Sequence, residues 1–349
     1  MKHIEAFWNW FEANHQAYNN FNELYEENVE EATNILTHIN SEIQKFSKGL
    51  SVEVYGSPEK RELVVTAKGD KNHFADAFEL VDNAPIIDGW SIVATNPPME
   101  VLDFDFEMPG EVRIAWDNIT FMPLEANEYP HDVAIRLYHK DYVAEEGAQR
   151  NVVIVGLYSA LNLLLGELHA SLDFQYIDFD DMPHPKEQDY PFSQLKEYIE
   201  HKKSQRPNAG QKFPKENIGL MEGRIEELPT LLVLNQALKF YEFTQSYPYL
   251  LQITLTLKNI GENGLPIGNT DELYLIEDVV YQGIPKNEKG HFLATETYNG
   301  KRDLFYYADS KETIDETLKS LPTEYTSCEV HYSVDYDPFW IRAERYREM

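Results

Sequence analysis

The sequence predicts an α+β protein built as two domains. Three observations predict it. The chain has 349 residues, well beyond the roughly 100–200 residues usual for one domain. Both halves interleave stretches of helical periodicity with stretches of strict alternation. Between them, residues 181–215 hold Pro183, Pro185, Pro191, Pro207 and Pro214 and no long apolar period. The expected domains are therefore 1–180 and 216–349, with 181–215 a Pro-rich linker that a short helix near 192–203 interrupts.

In the first half, Ile4, Phe7, Trp8 and Phe11 fall at helical spacing, and Val29, Ala32, Leu36, Ile39 and Ile43 form a second stripe that ends at Lys48-Gly49. "LSVEVYG" and "RELVVTAKG" alternate on either side of Ser57-Pro58-Glu59-Lys60 and predict a hairpin. A short helix near 73–84 and the strand "WSIVATNP" complete an αββαβ unit. Strands near 111–119 and 132–138, a helix at 150–168 and the strand "LDFQYIDF" follow. The amino-terminal domain thus combines helices with a mixed or antiparallel sheet.

In the second half, "GLMEGRIEELPTLLVLNQAL" predicts a leading hairpin, and six elements follow it. In "LLQITLTLK", Leu251, Ile253, Leu255 and Leu257 alternate with polar residues, as a half-buried strand requires. Leu273, Ile276 and Val280 lie at i, i+3 and i+7 in a helix over 271–282. Strands 291–298 and 301–308 meet at Asn299-Gly300, the pair that a type I′ turn prefers because both central residues need positive φ. Ile314, Leu318 and Leu321 mark a helix capped by Ser310, and "CEVHYSVD" is the last strand. This βαββαβ order is that of the ferredoxin-like fold, an antiparallel sheet with both helices on one face.

Four stretches of this half carry a resemblance: "LPTLLVLNQAL"; "YPYLLQITLTLK" followed by "GLP"; "RDLFYYA" at 302–308; and "DPFW" at 337–340, with Tyr346 beyond it. Together they resemble the bacterial domain of unknown function 695 over about residues 216–349. The family is uncharacterised, so the resemblance implies a fold and transfers no catalytic residue. Its members are at times joined to modules similar to the acidic, ferredoxin-like regulators that inhibit ribonuclease E, an analogy of fold and charge. The amino-terminal half, with its "FWNWF" start, resembles a module of other uncharacterised bacterial proteins.

Charge narrows the function. The chain carries 60 Asp and Glu against 30 Lys and Arg, a net charge of −30. Residues 1–180 hold 32 acidic and 11 basic side chains, and residues 216–349 hold 23 and 12. Both domains repel phosphate, whose binding depends on Lys and Arg. No nucleic-acid or anionic-membrane partner is expected, whereas a basic protein partner is compatible. The single cysteine, Cys328, precludes an intrachain disulfide. The most apolar run, "VVIVGLYSALNLLLG", is shorter than the roughly 18 residues of a spanning helix. With no signal-peptide pattern at the start, a cytoplasmic location is expected.

The candidate chemistry is sparse. Phe305 and Tyr307 share one face of a third strand, opposite Leu304 and Tyr306, and whichever pair faces the helices, the other lies on the open face. The RNA recognition motif places stacking aromatics on its third strand. The acidity, and the lack of a glycine between the rings, favour packing under the hairpin or the other domain instead. Asp337 and Trp340 follow the last strand. Asp335 and Asp337, two apart, are an acid–base candidate, with an Asp-Pro turn and an edge-sealing tryptophan as the simpler account. Asp178, Asp180, Asp181 and His184 in "DFDDMPHP" offer oxygen and nitrogen ligands to a divalent metal, or a solvated strand exit. "DFDFEMPGE" has alternating carboxylates but lacks the glycine and final Glu of a calcium loop. "GENGLPIG" matches no phosphate-binding loop, so no cofactor is expected. The function expected is a non-enzymatic acidic protein that binds or regulates a basic protein, inhibitor-like or immunity-like in its narrower form. The alternative is a hydrolase or metal-dependent enzyme using acidic residues in an inter-domain cleft.

Overall fold

A computed structural model describes residues 2–57, 60–100, 103–124, 131–183 and 188–349. The chain divides into two compact units, Met1–Gln205 and Arg206–Met349.

The first unit opens with α1 (Lys2–Asn14), α2 (Phe21–Glu27) and α3 (Val29–Ile43). Ile4, Phe7, Trp8 and Phe11 are buried as their spacing requires, and the Trp8 indole donates to the Leu80 carbonyl at 2.8 Å. Asn28 caps α3 reciprocally: its side chain accepts from Glu31 N and donates to the Glu31 carboxylate. β1 (Ser51–Gly56) and β2 (Arg61–Thr66) pair antiparallel, and β3 (Trp90–Ala94) joins β2 in parallel. Between β2 and β3 runs α4 (Phe74–Asp82), burying Phe74, Ala77 and Leu80.

Next come β4 (Asp105–Met108) and β5 (Val112–Ala115), a two-stranded hairpin. The remaining elements are β6 (Thr120–Pro123), β7 (Val133–Tyr138), α5 (Ala148–Leu165), α6 (Glu167–Leu172), β8 (Phe174–Asp180), β9 (Tyr190–Pro191) and α7 (Leu195–Ser204). Their sheet runs β8-β7-β6-β9, with β7 and β8 parallel and the other pairs antiparallel. The apolar helix α5 has 18 residues, long and apolar enough to cross a membrane by length and composition. In this unit it supplies Val153, Leu157, Ala160, Leu161, Leu164 and Leu165 to the core.

Two differences from the sequence expectation stand out here. Residues 190–204 are part of the first unit, because Phe192, Leu195 and Ile199 are buried in its core. Each such burial contributes about 1.5–3 kcal/mol, which overrides the punctuating prolines. The expected helix at 150–168 is broken at Gly166, whose φ is +78°. A Cβ there would meet the Pro98 ring and backbone at 3.0 Å, so the chain turns where only glycine fits. The break delivers Glu167 into the interior at 1% exposure. Its carboxylate accepts from Thr66 Oγ1 at 2.8 Å, Gly69 N at 2.9 Å and Asn96 N at 3.0 Å. A buried carboxylate is tolerable when it is hydrogen-bonded in this way.

The second unit contains β10 (Ile218–Ile225), β11 (Leu228–Asn235), β12 (Tyr249–Leu257), α8 (Asp271–Gly283), β13 (Gly290–Tyr298), β14 (Lys301–Ala308), α9 (Lys311–Leu318), β15 (Cys328–Tyr336) and α10 (Glu344–Glu348). The six strands form one antiparallel sheet in the order β10-β11-β13-β14-β12-β15. Leu251, Ile253, Leu255 and Leu257 lie in one core cluster with Leu273, Ile276 and Val280 of α8 and Ile314 of α9. Cys328 belongs to the same cluster, at 1% exposure. Ser310 caps α9 by accepting from Thr313 N at 3.2 Å. Asn299 and Gly300 both have positive φ, +44° and +77°, in the turn between β13 and β14.

Candidate functional site

β14 presents two faces. Leu304, Tyr306 and Ala308 join the cluster under α8 and α9, whereas Phe305 and Tyr307 join a second cluster on the opposite face. The sequence expectation favours that face being packed under the leading hairpin or the other domain. The structure closes it: segments at 238–247 and 339–346 bring Leu238, Tyr241, Tyr247, Trp340, Ala343 and Tyr346 over it. Phe305 is 7% exposed and Tyr307 is fully buried, so neither ring is presented for base stacking. The physical reason is length, since the chain beyond β15 carries enough large aromatics to cover a sheet face that the helices leave bare.

Three of the residues singled out in the sequence meet at one point. The rings of Tyr307 and Trp340 stack at 4.1 Å with an interplanar angle of 8°. The Tyr307 hydroxyl donates to Asp337 Oδ2 at 2.7 Å. Asp337 also accepts from the Ile341 and Arg342 amides at 3.0 and 2.9 Å, and its own amide donates to the Pro248 carbonyl at 2.7 Å. The Trp340 amide closes a turn on the Asp337 carbonyl at 3.1 Å, and its indole donates to the Tyr247 carbonyl at 3.0 Å. Phe305 lies apart from this point, 4.7 Å from the Tyr346 ring. Burial and the neighbouring Asp337 push the Tyr307 phenol well above its ordinary range. A phenol held protonated is neither base nor nucleophile at neutral pH. Asp335 is half-buried, 3.1 Å from the Arg342 guanidinium, so Arg342 meets one carboxylate through its side chain and the other through its amide.

Beside this stack lies a histidine that sequence reasoning missed. His291, 7% exposed, sits among Phe213, Tyr241, Tyr247 and Trp340 at ring distances of 4.7–6.0 Å. The Tyr241 hydroxyl donates to the Lys212 carbonyl at 2.8 Å and lies 2.8 Å from His291 Nε2. With the phenol proton so placed, the ring donates through Nε2–H, which assigns the neutral tautomer. Burial, aided by the charge of Lys212, pushes its pKa down to about 4. The signal available was a histidine at the start of the strand "HFLATETY", next to Phe292 and Leu293.

Of the acidic group at 178–184, Asp178, Asp180 and Asp181 are among the described residues. Asp178 is paired with Arg136 at 2.8 Å, Asp180 accepts from the Asp181 amide at 2.9 Å, and His184 lies outside the described residues. Among the described residues no three His, Cys, Asp or Glu side chains are grouped to hold a metal. Asp105 is bound in two-point fashion by Arg113 across the β4–β5 hairpin, which explains why that stretch is a hairpin and not an ion-binding loop.

A cavity of about 370 Å³ opens beside the start of α8, lined by Asn259, Asn269, Glu272, Thr326 and Ser327 among others. The Glu272 carboxylate accepts from the amide and hydroxyl of both Thr326 and Ser327 at 2.6–2.9 Å. These bonds hold its pKa down to about 2. Its acceptor capacity is used in fastening the loop before β15.

Neither the curated proteins nor the solved structures contain a match to this chain. The amino-terminal region matches no family. Residues 219–345, which span the six-stranded sheet and the segment closing its face, match the family of unknown function DUF695.

Proposed function

We propose that this is a non-enzymatic, acidic protein that binds and regulates a basic protein, inhibitor-like or immunity-like in its narrower form. The observation that carries the reading is the acidic helical surface of the first unit. Residues 3–44 contain eight Glu and no Lys or Arg. Glu23, Glu27, Glu30 and Glu31 are exposed along α2 and α3, and Tyr25 and Val29 among them are 53% and 55% exposed. A like-charged surface of this kind steers a cationic partner, and two apolar side chains within it supply contact area once the partner arrives. Phe305, Tyr307, Asp337 and Trp340, by contrast, are engaged in packing and hydrogen bonds within the second unit.

The test is capture from the source cells at low and high salt, comparing the native chain with a variant carrying Gln at positions 23, 27, 30 and 31. The expected result is a basic protein held at low salt, released at high salt and lost by the variant. Recovery of no partner at low salt, or equal recovery by the variant, overturns the proposal.

We infer also that β12, β13, β14 and β15 with α8 and α9 make a ferredoxin-like core. The support is the strand–helix–strand–strand–helix–strand order along the chain and the neighbour order β13-β14-β12-β15 in an antiparallel sheet. An experimental structure with α8 and α9 on opposite faces of the sheet would contradict it.

A further inference from the structure

The edge strand β10 is out of keeping with the rest of the second unit. Among the described residues it pairs with β11 alone, and Ile218, Leu220, Met221 and Ile225 are 50%, 66%, 41% and 39% exposed. The register pairs Leu220 with Val233 and Met221 with Leu232. Val233 packs on the helix-side cluster and Leu232 belongs to the opposite one, so the exposed apolar residues lie on both faces of the ribbon. Folded proteins ordinarily blunt such an edge with Pro, Lys or a covering segment. Here the strand carries one Glu and one Arg, two residues apart on one face, with Gly223 between them.

We propose that β10 is a self-pairing surface: two copies of the chain join β10 to β10 antiparallel about Gly223, setting Glu222 of each copy opposite Arg224 of the other. Antiparallel pairing about a two-fold axis normal to the sheet places residues of like parity opposite one another. Centred on Gly223, it brings together two Glu222–Arg224 pairs and two Met221–Ile225 pairs. No side chain stands at the axis to hold the backbones apart. Each cross-strand pair of this kind adds to what the main-chain hydrogen bonds contribute.

The neighbouring registers are worse. Centring on Glu222 sets Glu against Glu, and centring on Arg224 sets Arg against Arg. Centring on Met221 lengthens the ladder but places each charge against an apolar side chain. In the single chain Arg224 has only a loose contact with Glu227 at 3.8 Å, both side chains being highly exposed, so pairing exchanges it for a closer one. The opposite edge, β15, offers Glu329, His331 and Asp335 with no Lys or Arg in the strand and has no such self-complement. This inference does not depend on the proposed function, whose surface lies on other elements.

Light scattering on the full chain across a concentration series tests it. The native chain is expected to dimerise. Glu222→Arg and Arg224→Glu, each made alone, are expected to raise the dimer Kd about tenfold or more, because each sets like charges opposite. An equimolar mixture of the two variants is expected to recover the dimer, since each then supplies the charge that the other lacks. Amide exchange over residues 221–225 of the native chain, slowing as concentration rises, reports the same contact without any variant. A native chain that stays monomeric, variants that dimerise as before, or a mixture that fails to recover would each overturn the proposal.

Discussion

At Tyr307, one hydroxyl and one ring fasten the end of the chain to the sheet. Trp340 stacks on that ring although its own φ is +59°, a backbone region that costs a bulky residue about 1–3 kcal/mol. The stack, the indole bond to Tyr247 and the three bonds accepted by Asp337 offset that cost. Tyr307→Phe keeps the ring but leaves Asp337 Oδ2 buried with one donor fewer. It is expected to lower stability by about 1–3 kcal/mol in urea unfolding, and an unchanged midpoint would refute the fastening role. His291 gives the same region a pH signature. Its pKa lies near 4 when folded and about 6.5 when unfolded, so below pH 6.5 the unfolded chain binds the extra proton. Stability is full above that pH, falls as pH drops from about 6.5 to 4, and loses no more from this residue below 4. The loss is on the order of 3 kcal/mol. His291→Gln, which does not titrate, is expected to flatten that limb of the stability–pH curve.

At the scale of elements, two hairpin turns show what the sequence made legible. Asn299-Gly300 announces its turn chemically and has the expected positive φ at both positions. Glu226 and Glu227 adopt the same left-handed pair, at +47° and +69°, between β10 and β11, yet nothing in glutamate favours that conformation. The stretch "GLMEGRIEELPTLLVLNQAL" predicts the hairpin, but not its turn type. Glu226→Asn with Glu227→Gly is expected to stabilise the chain by about 1 kcal/mol or more, read as a higher urea midpoint at unchanged slope; a lower midpoint would contradict the strain. Helices with clear stripes, such as α1, α3 and α8, were readable for the same reason as the strands: one buried face fixes the period. What escaped was set by tertiary packing. The break at Gly166, the burial of Glu167, the inclusion of 190–204 in the first unit and the closing of the sheet face by residues 339–346 all depend on partners far away in sequence. The site was legible to the extent that Tyr307, Asp337 and Trp340 do meet, but alternation alone does not say what covers a strand's second face.

On the scale of the whole molecule, both units are acidic, with 37 acidic against 15 basic side chains in residues 1–205 and 23 against 15 in 206–349. Net negative charge repels phosphate groups and attracts cationic ones, with a strength that salt screens over about 10 Å at 0.1 M. The interior aromatics, carboxylates and histidine are occupied with holding the second unit together, which places the weight of the functional account on the surface. The most direct measurement is therefore the affinity of the captured basic partner as a function of salt, for the native chain and for the variant with Gln at positions 23, 27, 30 and 31. The account predicts that affinity falls steeply with salt and drops about tenfold or more in the variant. An affinity indifferent both to salt and to those four carboxylates would contradict it.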